Sequence, residues 1–105
     1  MTVSASIQDF KHQNLSVAIG TTVTWNQKDS APHTTTSGTP GNPDGVWDSG
    51  TLRSGGTFSH TFAETGEFVY YCSIHPSMKA TVTVVETLVD AGTESSDTET
   101  DDYSY

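Results

Sequence analysis

The sequence predicts an all-β protein, an antiparallel β-sandwich of seven to eight short strands. Three observations predict it. Apolar residues alternate with polar ones in runs of strand length, as in "TTVTWNQ", "TFSHTF" and "ATVTVV". Clusters of Gly, Pro, Ser and Asp punctuate the chain between those runs. No stretch carries the apolar period of a long helix.

The elements follow in order. Thr2–Ile7 alternates weakly through Val3, Ala5 and Ile7. "LSVAIG" puts Val17 and Ile19 on one face, and Gly20 marks a hairpin or tight corner before "TTVTWNQ", where Val23 and Trp25 share a face. Residues 28–45 read as loop, broken by a short strand at His33–Thr36. "GVWDSGTLRSGG" is turn-rich, with Trp47 turned inward. In "TFSHTF", Phe58, His60 and Phe62 share a face. "ETG" turns the chain into "EFVYYCS", where Phe68, Tyr70 and Cys72 face one way and Val69 and Tyr71 the other. "MKATVTVV" aligns Met78, Ala80, Val82 and Val84. The expected core is Val17, Ile19, Val23, Trp25, Phe58, Phe62, Phe68, Tyr70, Val82 and Val84.

The 105 residues suffice for one domain with a modest core. The expected division is a folded body over residues 1–86 and an acidic, disordered tail over 87–105. "AGTESSDTETDDYSY" offers too little apolar surface to offset the entropy of ordering it. The net charge of −9 is concentrated there. Glu86, Asp90, Glu94, Asp97, Glu99, Asp101 and Asp102 have no Lys or Arg among them, so residues 86–105 carry −7 and residues 1–85 carry −2. A nucleic-acid partner needs a basic face, which this chain lacks. No run approaches the roughly 18 apolar residues of a membrane span, and no secretory signal is legible at Met1.

"YYCSIHPSMKATVTV" gathers the only cysteine, Cys72, with His75 and the only internal methionine, Met78. A lone Cys taken by itself reads as a small buried hydrophobe. Its neighbours change that reading. Cys72 ends a strand on the core side, Pro76 holds His75 extended, and Met78 opens the next strand on its inner face. A thiolate, a thioether and an imidazole aimed at one point suit copper, which takes one Cys, two His and a weak axial Met. His33 in "DSAPHTTT" is the candidate second imidazole. His60 reads instead as a partly buried structural residue between Phe58 and Phe62, and His12, near a turn, as solvated. Zinc is the rival on donor grounds, but it rarely takes a thioether, and a structural site normally shows more than one Cys. A Cys72–His75 nucleophile is the other rival; no orienting Asp or Asn is apparent, and Met78 has no part in it.

"VWDSGTLRSGGTFSHTFAETGEFVYYCSIHPSMKATVTVV", with "DSAPHT" upstream, resembles the cupredoxins, the small blue-copper proteins. The Cys-x2-His-x2-Met spacing is most similar to that of amicyanin, and the likeness spans roughly residues 3–85. The resemblance implies an eight-stranded Greek-key sandwich with one type 1 copper at one end. The implied ligands are His33, Cys72 and His75, with Met78 axial. It implies one-electron transfer between redox protein partners, with electrons passing the exposed edge of His75 inside an apolar patch. It also implies an exported, periplasmic or extracytoplasmic protein whose signal or anchor is absent from this chain. The expected state is a monomer, its partners carrying a basic docking surface.

Two positions depart from the family pattern. Relatives often carry Asn after the first ligand, tying the two ligand loops together; Thr34 has a shorter reach, so a different or looser brace is expected. Ser77 stands before Met78 where relatives often carry a bulkier residue. These positions sustain an alternative reading, a copper-dependent reaction with a small molecule such as nitric oxide at an open type 1 site. Copper storage would favour several Met or Cys, and this chain has one internal Met and one Cys.

Overall fold

The computed structural model describes residues 1–87. Eight strands form two sheets, with no helix among the described residues. They are β1 (Thr2–Ile7), β2 (Leu15–Ala18), β3 (Thr22–Gln27), β4 (Thr36–Thr39), β5 (Asn42–Asp48), β6 (Thr57–Thr61), β7 (Gly66–Tyr71) and β8 (Lys79–Val85). One sheet has the order β1-β3-β6 and the other β2-β8-β7-β4-β5. The fold is thus the expected all-β Greek-key sandwich. Its pairing is mixed, however, because β1 runs parallel to β3 and β2 parallel to β8. Neither pair is consecutive in sequence, so no hairpin forces either one to be antiparallel. The acidic tail expected over 87–105 lies outside the described residues from 88 onward.

Alternation sets the core. Trp25 pairs with Phe58 across β3 and β6, and Tyr70 with Ala80 across β7 and β8. Ile7, Val17, Val23, Trp25, Trp47, Phe62, Tyr70, Val82 and Val84 are buried, and Phe58 and Phe68 pack against them partly buried. Trp25 and Trp47 stack at 5.6 Å, and the Trp25 indole N–H donates to the Tyr70 hydroxyl at 3.3 Å. Such aromatic pairs contribute about 0.5–1.5 kcal/mol beyond the area they bury.

Two expectations are corrected. Ile19 is 43 % exposed and outside the core. β2 ends at Ala18, and at Gly20, with φ +89°, the chain turns a corner into the other sheet. The 28–45 segment, read as loop, contains the β4–β5 hairpin. Pro40–Gly41 makes its turn, with Gly41 at φ +81°. A bulge lies just before that turn at Gly38, where a Cβ would collide with the Asn42 carbonyl oxygen. The short strand expected at His33–Thr36 starts only at Thr36; His33 makes a single bridge to Leu52, with N–O distances of 3.0 and 2.7 Å. That bridge anchors His33 to the sandwich body.

Candidate metal centre

Three donors meet at one end of the sandwich. β7 delivers Cys72, and the loop after it closes on itself: the Cys72 N–H donates to the Met78 carbonyl and the Met78 N–H to the His75 carbonyl, both at 3.0 Å. His33 arrives from the separate segment between β3 and β4. Its Nδ1 lies 3.2 Å from His75 Nδ1, and Cys72 Sγ lies 3.8 and 3.9 Å from these two nitrogens. All three ligand atoms fall within 4.8 Å of one another. Metal–nitrogen bonds of about 2.0–2.1 Å and metal–sulfur bonds of about 2.3 Å set donors sharing one ion about 3–4 Å apart, so the residues present fit a single ion. His33 and Cys72 are fully buried and His75 is half-buried. Met78 is buried, while Ser77 beside it is exposed.

The donors are held from behind. The Cys72 sulfur accepts the Thr34 N–H at 3.3 Å and the His75 N–H at 3.4 Å. Both bonds favour the thiolate that soft metals require. The His33 Nε2–H donates to Asp29 Oδ2 at 2.8 Å, which leaves Nδ1 bare on the inner side. Asp29 also accepts the Asp9 and Phe10 N–H groups at 2.8 Å each. The Phe10 N–H does most to hold its carboxyl below the ordinary range, against the opposing effect of burial, and the Asp9 N–H and His33 add to it.

Thr34 is not a loose brace. Its Oγ1 accepts the Ser73 N–H at 2.8 Å and shares hydrogen bonds with Thr36 Oγ1 at 2.9 Å and Ser73 Oγ at 3.2 Å. The hydroxyl reaches the Cys72 loop because Ser73 brings its own N–H and hydroxyl to meet it.

His12 corrects another expectation. It is half-buried rather than solvated. Its ring lies 4.8 Å from that of Tyr70, its Nε2–H donates to the Thr34 carbonyl at 2.9 Å, and its buried Nδ1 has no partner. Burial, with the nearby His33 adding to it and the Thr34 carbonyl opposing, lowers its pKa to about 4. His60 is partly buried and stacked on Trp47 at 5.1 Å, as expected, and is not in the donor cluster. Asp29 and Phe10 were missed by the sequence reading. The four-residue step from Asp29 to His33 is a weak signal for the first. Nothing in "QDFKHQ" marks the second.

A model of copper-binding proteins of the plastocyanin/azurin family matches residues 1–85. The chain belongs to that family. Among solved structures, a purple cupredoxin from Nitrosopumilus maritimus is 34 % identical, with a TM-score of 0.71, covering 78 % of this chain and 98 % of the other. Two methionine-to-alanine mutants of amicyanin in the Cu(I) form are 27 % and 29 % identical; for each the TM-score is 0.69, with 79 % of this chain and 81 % of the other covered. No curated protein matches. This cupredoxin takes one type 1 copper as its cofactor.

Proposed function

We propose that this cupredoxin is a one-electron carrier whose copper is bound by His33, Cys72 and His75, with Met78 as the weak axial ligand. The observation that carries the reading is the convergence of two imidazole nitrogens and one cysteine sulfur within 4.8 Å, on loops tied to each other. Bound copper supplies a single redox-active centre that alternates between Cu(I) and Cu(II). The protein's part is to keep the donors still. The paired N–H groups on Cys72, the carboxylate behind His33 and the Thr34–Ser73 link leave little to rearrange when charge changes. His75 is the least buried of the four, and Phe10 and Ile74, both exposed apolar residues, belong to the same region, which suits docking and electron passage.

The partners in this reading are redox proteins, met by a monomer in an extracytoplasmic compartment, and the net charge of −9 on this chain suits a basic docking surface on them. Among the described residues no helix is long and apolar enough to cross a membrane. Copper loading is expected to give an intense visible thiolate band and a reversible one-electron potential, and Cys72→Ser is expected to abolish the band. Intense colour in that variant sinks the ligand assignment, and an irreversible couple in the wild type sinks electron carriage. Reaction with nitric oxide at an open position rests on Ser77 alone; the burial of His33, Cys72 and Met78 weighs against it.

A further inference from the structure

The turn at Gln8–Lys11 is built against its own sequence. Gln8 and Lys11 exchange backbone hydrogen bonds at 3.4 and 3.1 Å, which makes Asp9 and Phe10 the two central residues of a tight turn. Both have positive φ, 58° and 56°. Asn-Gly or Asp-Gly is the usual spelling of such a turn. Asp tolerates this region, but a bulky aromatic there is a strained outlier. Among the described residues, these two are the only non-glycine residues with positive φ. Such outliers persist only where the surroundings hold them, and they collect at functional sites.

Asp29 is what holds this one. Its Oδ1 accepts the Asp9 N–H, and its Oδ2 accepts both the Phe10 N–H and the His33 Nε2–H, each at 2.8 Å. Two successive N–H groups converging on one anion make a backbone nest. The same carboxylate therefore fastens the strained turn to the outer edge of a ligand imidazole. The Phe10 ring meets His33 edge-on at 4.8 Å and 86°, and His75 at 4.8 Å and 78°. The two imidazoles lie 5.0 Å apart at 70°. Phe10 itself remains 49 % exposed, so its own burial does not account for its placement.

We infer that Phe10 is a positioning residue of the copper site: it braces the two imidazoles and closes the histidine side of the metal to water and small anions, with Asp29 as its latch. The inference rests on the ligand set proposed above. A centre covered in this way exchanges electrons without taking up an outside ligand.

The test is azide titration of the oxidised, copper-loaded protein, read by its visible spectrum. The wild type is expected to keep its spectrum. Phe10→Gly removes the ring while relieving the strain at positive φ, so the fold is expected to survive, with a urea midpoint equal to or above that of the wild type. That variant is expected to gain an azide-dependent band, with azide binding at least about tenfold tighter than to the wild type. Phe10→Tyr keeps the ring and is expected to match the wild type. Asp29→Asn offers the turn and His33 fewer acceptors. It is expected to fall between, and its effect is expected to vanish when combined with Phe10→Gly. Azide binding to the wild type, an unchanged spectrum in Phe10→Gly, or an equal Asp29→Asn effect in both backgrounds overturns the inference. Failure of the electron-carrier reading looks different: the wild type then lacks a reversible potential, whatever residue stands at position 10.

Discussion

Acid should destabilise this protein through His12 before it reaches most of the carboxylates. The ring is half-buried, with its proton on Nε2 and donated to the Thr34 carbonyl. A second proton would go to Nδ1, which is buried and faces no acceptor. The folded protein therefore refuses that proton until about pH 4, whereas an unfolded chain takes it near the ordinary value of 6.5. With the folded pKa below the unfolded one, the stability from this residue is complete above pH 6.5 and falls away as the pH drops toward 4. By pH 4 the loss amounts to about 2–3 kcal/mol. For a small domain this is a large share of the total. The assay is urea unfolding of the copper-free protein from pH 7.5 to 4, comparing wild type with His12→Gln. The amide retains an N–H for the Thr34 carbonyl and does not titrate. Burial also lowers the pKa of His60, but both proteins share that residue. The wild type is expected to lose about 2–3 kcal/mol more than His12→Gln across the range. Parallel pH curves would refute the reasoning.

Three other outcomes are expected. Thr34→Val leaves the Ser73 N–H without its partner, so the variant is expected to lose about 1–3 kcal/mol in urea unfolding; an unchanged midpoint would mean that the hydroxyl link carries no weight. Met78→Leu is expected to raise the reduction potential while copper stays bound, because losing a weak axial donor disfavours Cu(II); voltammetry and metal analysis check this, and loss of copper counts against the axial assignment. Removing residues 88–105 is expected to leave the visible spectrum as it is, since the proposed ligands all lie at or before position 78. Removal is also expected to slow association with a basic redox partner and flatten its salt dependence, because the deleted segment holds most of the negative charge. A shifted spectrum would show that the tail reaches the copper.

The sandwich was legible because its signals are local. Period-two alternation in β3, β6, β7 and β8 exposed the core face of each strand without knowledge of its neighbours. Ile19 failed because alternation says nothing about where a strand stops, and the corner at Gly20 ends β2 one residue too soon to bury it. The β4–β5 hairpin was hidden by turn-forming residues, although Pro40–Gly41 was its signal. At the site, Cys72, His75 and Met78 stood together in sequence. Their surroundings did not: Phe10 and His12 come from one segment, Asp29 and Thr34 from another, both far from Cys72 in sequence, and their contacts across these segments arise only from the tertiary fold. The short reach of Thr34 could be read from its chemistry, but the approach of Ser73 could not.

The bulge at Gly38 and the composition of β5 bear on how the protein behaves at high concentration. β5 is an outer strand of the five-stranded sheet and presents unpaired backbone groups along its free side. An extended free strand of this kind templates the addition of another chain. Here it carries Pro43, which has no N–H to give, together with the charges of Asp44 and Asp48, and the register slips between Thr36 and Gly38 behind it. β2, at the opposite margin, is only four residues long. Both margins of the larger sheet are therefore poor templates for strand addition. Crowded copies therefore find little purchase for strand addition along the larger sheet.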